Sequence, residues 1–153
     1  MENQATAASR STQERTGSSN GSVELGLHAG QVIQEFGWDT DVDDGFRARI
    51  EDATGEALVD EDYADVCDGT LIWWRDDDGD EDDLADLLVD AKGNLDDGSG
   101  IMWVLIPAMG RDGYVEHIVV EEAAQNAGLS ATTAAALSPE WTGVRLSARG
   151  PRR

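Results

Sequence analysis

The sequence predicts a three-layer α/β fold, in which helices cover both faces of a mixed, mostly parallel sheet that ends in an antiparallel hairpin. Two segments, 69–74 and 100–107, are short and apolar along both faces, as is typical of strands in the centre of a parallel sheet. The segment between them, 81–93, repeats apolar residues at helical spacing. A strand–helix–strand unit of this kind is expected to cross over with the right hand.

The first element of the ordered region, QVIQEFGW at 31–38, fits two structures. Val32, Ile33 and Phe36 are spaced for a helix, whereas Val32, Phe36 and Trp38 would share one face of a strand. The preceding LGLHAG and the short acidic turn that follows favour a strand.

The FRARIEDATG segment is predicted to be a helix, because Phe46 and Ile50 are four residues apart. Either Asp43 or Asp44 is suited to cap its amino end. A short strand is expected next, at 57–59.

The helix within 81–93 has the clearest boundaries. Acidic residues at 80–83 lie at its amino end, where the helix dipole favours negative charge, and Gly93 is suited to end it. Its apolar face consists of residues three or four apart: Leu84, Leu87, Leu88 and Ala91.

The carboxyl-terminal part is predicted to add a helix and the hairpin. Ile118, Ala123 and Ala127 share one helical face, and Gly128 would end that helix. Residues 131–148 are interpreted as two strands around a turn at 139–143, which contains Trp141.

The chain is expected to form one domain, 23–148, with two tails. Residues 1–22 have almost no large apolar residue, which predicts a disordered tail, and 149–153 form a basic tail. The sequence has one cysteine, no signal region and no apolar run near the roughly 18 residues of a membrane helix. We therefore expect a cytoplasmic protein that neither has a membrane partner nor forms an intrachain disulfide.

The net charge of -21 excludes one class of partner. Charges in 1–22 cancel and three arginines lie in 149–153, so 23–148 carries -24. Such a body repels phosphate backbones, and we expect no nucleic-acid partner. An unidentified protein partner is compatible with this charge, and the oligomeric state is left open.

Alternating acids in GWDTDVDDG, at 37–45, suggest a calcium-binding loop. An EF-hand loop that began at Asp39 would use Asp41 and Asp43, with glycine at position 6 and glutamate at position 12. Here Gly45 and Glu51 each come one residue too late. We therefore predict no metal site, and interpret the acids as a helix cap and a solvated loop.

No catalytic residue is predicted. The two histidines are far apart, and neither a nucleophile elbow nor a phosphate-binding loop occurs. Arg111 follows the 100–107 strand, where an arginine can clamp an anionic ligand, or else pair with a nearby carboxylate. Trp141 is a partner-contact candidate if exposed in its turn, with packing over the sheet edge as the alternative.

Four segments together resemble the domain-of-unknown-function 3052 family of actinobacteria: GLHAGQVIQEFGWDTDVDD, LIWWRDDDGD, IMWVLIPAMGRDG and EWTGVRL. The resemblance covers about 23–148 and is most specific at the PxxGRDG loop and the WxGxRL segment. Relatives often have a lysine where Ala108 stands, which weakens an anion site here. The resemblance implies no activity.

The order of elements is also similar to a shrunken class I methyltransferase, a Rossmann-like fold. Leu25, Leu27 and Gly30 match its LxLxxGxxV lead-in to the first strand, and Val32 stands one residue before the valine of that pattern. That resemblance implies an S-adenosylmethionine loop after strand one, but the glycine-rich sequence is missing. Residues 38–41, which include Asp39 and Asp41, take its place, and Asp60 matches the acid that would hold the ribose.

These observations favour a non-catalytic binding or regulatory domain, with no cofactor. Its candidate ligand or partner contacts are Asp39, Asp41, Asp60, Arg111 and Trp141. The alternative is a degenerate methyltransferase-like enzyme or a small-ligand sensor, with S-adenosylmethionine as the cofactor in that case alone. Its site would be formed by the 38–44 loop, Asp60 and the 107–113 loop.

Overall fold

The computed structural model describes residues 26–96 and 100–148. The expected tails at 1–22 and 149–153, and Leu25 of the lead-in, lie outside these residues. The elements in chain order are β1 (Ile33–Phe36), α1 (Asp44–Thr54), β2 (Gly69–Trp73), a 3₁₀ turn (Asp76–Asp78), α2 (Glu81–Lys92), β3 (Ile101–Pro107), α3 (His117–Asn126), β4 (Leu129–Ala136) and β5 (Trp141–Ala148).

One open sheet contains the five strands in the order β1-β2-β3-β5-β4. The β1–β2 and β2–β3 pairs are parallel, whereas β5 runs antiparallel to both β3 and β4. The sheet is therefore mixed, which corrects the expected mostly parallel sheet. The apolar runs of β2 and β3 predict parallel strands, but they contain no signal that a reversed strand inserts between β3 and β4.

Helices pack on both faces, so the fold has three layers. On one face α2 and α3 bury Leu84, Leu88 and Val120 against the sheet. On the other face α1 buries Phe46 and Ile50 in a second cluster. Phe46 meets the ring of Trp73 edge to face, with the centroids 6.2 Å apart. The buried faces of α1 and α2 match the predicted apolar spacing.

The helix ends follow local chemistry. Asp43 caps α1 by accepting a hydrogen bond from the Phe46 backbone N–H. Asp80 and Asp83 form a reciprocal capping box at the start of α2. Caps of this kind satisfy backbone donors that have no partner within the helix. They account for part of the acidity that the sequence shows before each helix.

Three local features differ from what the sequence predicts, and a fourth decides whether 31–38 is a helix or a strand. The 31–38 segment contains a strand, because Ile33–Phe36 pairs with β2. Residues 57–59 form no strand, and Val59 alone bridges Gln34. Ile118 is half exposed and Val120 takes its place in the core. Trp141 lies in β5 rather than in a turn.

In the part of the chain that the structure describes, no helix has both the length and the apolar character needed to span a membrane.

Candidate functional site

The carboxyl ends of β1, β2 and β3 meet at one edge of the sheet. In open α/β sheets this edge is the usual place for a ligand. Three connections follow these ends: residues 37–43, the stretch from 74 to 80, and residues 108–116. This edge is therefore a candidate place for a ligand.

The 37–43 loop is tied to β2 by Arg75, whose side chain is buried. Its guanidinium makes two hydrogen bonds to the Asp41 carboxylate, one of them from Nε to Oδ2 at 3.0 Å. Nη1 donates to the Gly37 carbonyl at 2.8 Å and to the Trp73 carbonyl at 3.3 Å. We call this set of contacts the Arg75 clamp.

Electrostatics keep the clamp ionised. The hydrogen bond from Arg75 lowers the pKa of Asp41 below its ordinary value. Burial acts to lower the pKa of Arg75, but hydrogen bonding and the charges of Asp41 and Asp78 outweigh it and raise that pKa. The guanidinium also lies 5.3 Å from the centroid of the Trp141 ring, a distance at which a cation is attracted to an aromatic face.

Gly37 lets the loop pass close to β2. Its φ is +77°, and a Cβ atom built at this position would lie 2.3 Å from the Trp73 carbonyl oxygen. Any side chain would therefore meet both backbone strain and a steric clash. The glycine after β1 is required for packing of the loop against the end of β2.

A second ionic group lies under the same edge. Glu35, which is 6% exposed, accepts hydrogen bonds from Arg47 Nε at 2.7 Å and Nη2 at 2.8 Å. Trp73 Nε1 donates to the same carboxylate at 2.8 Å. The hydrogen bond to Glu35 raises the pKa of Arg47. A buried charge that is paired and hydrogen-bonded in this way is tolerated in a core.

Beside this group an open cleft of about 490 Å³ runs between α1 and residues 58–62. We call it the β1 cleft. Such a volume is within the range of ligand pockets, roughly 300–1,000 Å³. Trp38 forms one wall with 54% of its surface exposed. The lining residues are Glu35, Trp38, Arg47, Leu58, Val59, Asp60, Glu61 and Asp62.

The cleft is acidic. The charges of Glu35 and Arg47 cancel, and three exposed acids at 60–62 leave a net charge of -3 along the lining. Glu61 accepts the Gly37 backbone N–H at 2.9 Å, and Asp60 accepts that of Asp62 at 3.0 Å. These bonds hold two of the acids in place at the mouth of the cleft.

The structure separates the predicted site residues. Asp41 is part of the Arg75 clamp, and Asp60 lies in the β1 cleft. Asp39 is exposed in the 37–43 loop, where it accepts the Thr40 backbone N–H at 2.7 Å. Arg111 donates to the Glu140 carbonyl at 3.1 Å and lies 3.8 Å from its carboxylate. Arg111 thus has the carboxylate partner that the sequence offered as its alternative.

Trp141 is not an exposed turn residue. Only 1% of its surface is exposed, and its ring centroid lies 4.8 Å from that of Trp73 at an angle of 80°. The sequence segment PEWTG resembles a turn because of its proline and glycine, but pairing with β3 draws Trp141 into the sheet. This tryptophan packs in the core.

Sequence reasoning missed Trp38 as a wall of the cleft, the Arg75 clamp and the Glu35–Arg47 pair. Two local signals were available. Glu35 is a charged residue within an apolar strand, and Arg75 is a single cation between an aromatic strand and an acidic run. The partners of both lie too far away along the chain to be identified from spacing.

Metal centres and reactive thiols are two other kinds of site. Across 26–96 and 100–148, no group of three or more His, Cys, Asp or Glu side chains is arranged to hold a metal ion. Cys67 is fully buried, and burial raises the pKa of its thiol. A thiol of this kind is a poor nucleophile.

This chain matches the model of a protein family along most of its length. The family model described as "Protein of unknown function (DUF3052)" matches residues 22–150. An uncharacterised protein of Mycobacterium tuberculosis is 46% identical over 128 residues, which cover 84% of this chain and 78% of that protein. An uncharacterised protein of Mycobacterium bovis is similar to the same degree.

Several solved structures that this chain resembles are methyltransferases. Mitomycin 7-O-methyltransferase matches with a TM-score of 0.56 and 12% identity, over 84% of this chain and 53% of that chain. An O-methyltransferase of neocarzinostatin biosynthesis, solved with S-adenosylmethionine, matches with a TM-score of 0.60 and 12% identity, over 78% and 49%. The chain thus spans about half the length of these two enzymes.

The CcbJ methyltransferase of Streptomyces caelestis matches over more of its length. The alignment covers 90% of this chain and 94% of that enzyme, with a TM-score of 0.58 and 12% identity. Similarity at this level of identity establishes a shared fold and leaves the function of this chain to be argued from its own residues.

Proposed function

This chain belongs to the DUF3052 family, and we propose that it is a non-catalytic binding or regulatory domain that meets its partner at the carboxyl edge of its sheet. The proposal includes a cytoplasmic location, which is supported by the single, free and buried thiol of Cys67. The partner would be a protein, because the acidic body disfavours nucleic acid.

The observation that carries the proposal is the Arg75 clamp. A cofactor that approaches the end of β1 needs open backbone there, but the 37–43 loop is bound to β2 through Asp41 and Gly37. Opening the loop would leave the largely buried Arg75 guanidinium without the Asp41 carboxylate, which costs about 1 kcal/mol because Asp41 is half exposed. The clamp therefore favours a closed edge over a cofactor site.

Calorimetry with S-adenosylmethionine and the full chain tests this proposal. We expect no saturable heat at micromolar protein concentration, because the loop stays closed. Saturable binding with a micromolar Kd would reject a domain that uses no cofactor. The melting temperature with and without the compound gives a second readout, since a ligand that binds the folded state raises it.

One observation favours the second candidate, a degenerate methyltransferase-like enzyme or small-ligand sensor. Val59 bridges β1 in a parallel manner, so Asp60 follows a strand-like position next to the end of β1. The methyltransferase-like fold expects its ribose-binding acid at this place. Asp60 also lines a cleft large enough for a small ligand.

A matched pair of variants separates the two candidates if heat is observed. Under the second candidate, Asp60→Asn would weaken S-adenosylmethionine binding at least about tenfold, whereas Asp90→Asn would leave it unchanged. Asp90 is an exposed acid on α2, and its change removes the same charge. Equal effects of both variants would exclude Asp60 as a ligand contact.

A further inference from the structure

The β1 cleft combines three properties that together describe a ligand class. It is concave, one wall is the exposed indole of Trp38, and the acids at 60–62 give its lining a net charge of -3. Trp38 is the one exposed tryptophan among five, since the other four are at most 6% exposed. An exposed aromatic wall beside carboxylates favours a cation with an apolar or planar face.

Other ligand classes fit this cleft poorly. An anion would be repelled by the acids, and Arg47 is already neutralised by Glu35. A metal ion needs convergent ligands, and the described residues contain no such group. A guanidinium satisfies both features of the cleft, because it stacks on an indole and donates hydrogen bonds to carboxylates.

We propose that the β1 cleft docks an extended, arginine-bearing segment of a protein partner. One guanidinium stacks on Trp38, and the acids at 60–62 bind its donors and those of a neighbouring basic residue. This inference rests on the proposed function as a binding domain and names the chemistry of its partner. The net charge of -21 contributes by attracting a basic segment over a longer range.

The test uses the full chain and a capped peptide, Gly-Arg-Gly-Arg-Gly, at an ionic strength of about 0.1 M, where charges more than about 10 Å apart are largely screened. Tryptophan fluorescence follows the titration, because Trp38 is the exposed reporter, and amide NMR shifts locate the contact. We expect saturable binding with shifts concentrated at 38 and 58–62. A Gly-Glu-Gly-Glu-Gly peptide should cause neither change.

Three variants test the residues. Trp38→Ala should weaken arginine-peptide binding about three- to fivefold. Neutralising the cleft with Asp60→Asn, Glu61→Gln and Asp62→Asn should weaken it about tenfold. The matched control changes Asp77, Asp82 and Asp86 to asparagine. These three aspartates are exposed and lie outside the cleft. This control loses the same three charges and should weaken binding less than about twofold.

Equal weakening by the two triple variants would overturn the proposal, because binding would then depend on net charge alone. The absence of binding, or shifts centred on the acidic run at 76–83, would also overturn it. Unchanged circular dichroism and melting temperature in each variant would show that folding is intact. If the arginine peptide does not bind and S-adenosylmethionine gives no heat of binding, the proposed binding domain remains, but with a different partner. Saturable heat with S-adenosylmethionine would reject both the binding-domain proposal and this inference.

Discussion

At the scale of single residues, Gly37 and Gly30 adopt the same left-handed backbone conformation but have different surroundings. Both have positive φ, +77° and +88°, but a Cβ at Gly37 would meet the Trp73 carbonyl, whereas one at Gly30 would meet nothing within 4 Å. We expect Gly30→Ala to lower the free energy of unfolding by about 1 kcal/mol through strain alone. Gly37→Ala should lower it by about 3 kcal/mol or more, because the clash adds to the strain.

Urea denaturation of the two variants measures this difference. Equal losses would mean that the 37–43 loop can move away from β2 at little cost. That result would also weaken the closed edge on which the proposed function depends.

The Asp41–Arg75 pair predicts a dependence on pH. The folded-state pKa of Asp41 is lowered, so its stabilising effect is complete above the ordinary value of 3.8 and is lost as the pH falls through the folded value. Asp41→Asn should lower the free energy of unfolding by about 1 kcal/mol at pH 7, since Asp41 is half exposed and the pair is partly screened.

The loss should be equal at pH 7 and pH 5 and should shrink below about pH 4. Urea denaturation at these pH values measures it. Asp39→Asn in the same loop is the control, because Asp39 accepts a local backbone N–H that an asparagine can also accept. A similar pH-dependent loss in the control would assign the effect to the charge of the loop rather than to the clamp.

At the scale of elements, α2 is stabilised by its buried face. Leu88 is fully buried, whereas the neighbouring Val89 is 48% exposed. Leu88→Ala should lower the free energy of unfolding by about 3 kcal/mol, because the deletion leaves a cavity between α2 and the sheet. Val89→Ala should change it by less than about 0.5 kcal/mol. A large effect of Val89→Ala would indicate that this face is covered by another part of the molecule.

The elements that the sequence predicts well are those with local signals. The four apolar residues of α2 and its acidic start specify that helix, and the apolar runs of β2 and β3 are strands in any arrangement. In contrast, the start of β5 depends on pairing with β3, so Trp141 was wrongly expected in a turn. Residues 57–59 resemble a strand in sequence, but they form a single bridge to β1, between Val59 and Gln34.

The candidate site was partly predictable for the same reason. The cap at Asp43 is local and was one of two expected caps, and Asp60, which was proposed from the methyltransferase resemblance, lines the cleft. The partner of Asp41 is Arg75, 34 residues further along the chain, and no spacing rule connects the two. The cleft itself arises from the distance between α1 and 58–62, which one sequence does not contain.

At the scale of the whole molecule, the described basic residues are used mainly within the fold. Arg47 neutralises Glu35, Arg75 holds Asp41, and Arg111 pairs with Glu140. Because these cations face the molecule's own acids, the surface keeps most of the net charge of -21. Two copies of the protein therefore repel each other at neutral pH.

That repulsion protects the strand β4, which is the outer strand of the described sheet on its side. Its sequence, LSATTAAA, has no charge and no proline, and its central residues 131–134 are exposed. Strands at a sheet edge commonly contain a charged residue or a proline, which blocks pairing with another chain. We expect the charge of the whole molecule to perform that role here. Near the isoelectric point of about 4.1 the repulsion vanishes, and we expect two β4 edges to pair as the first step of self-assembly.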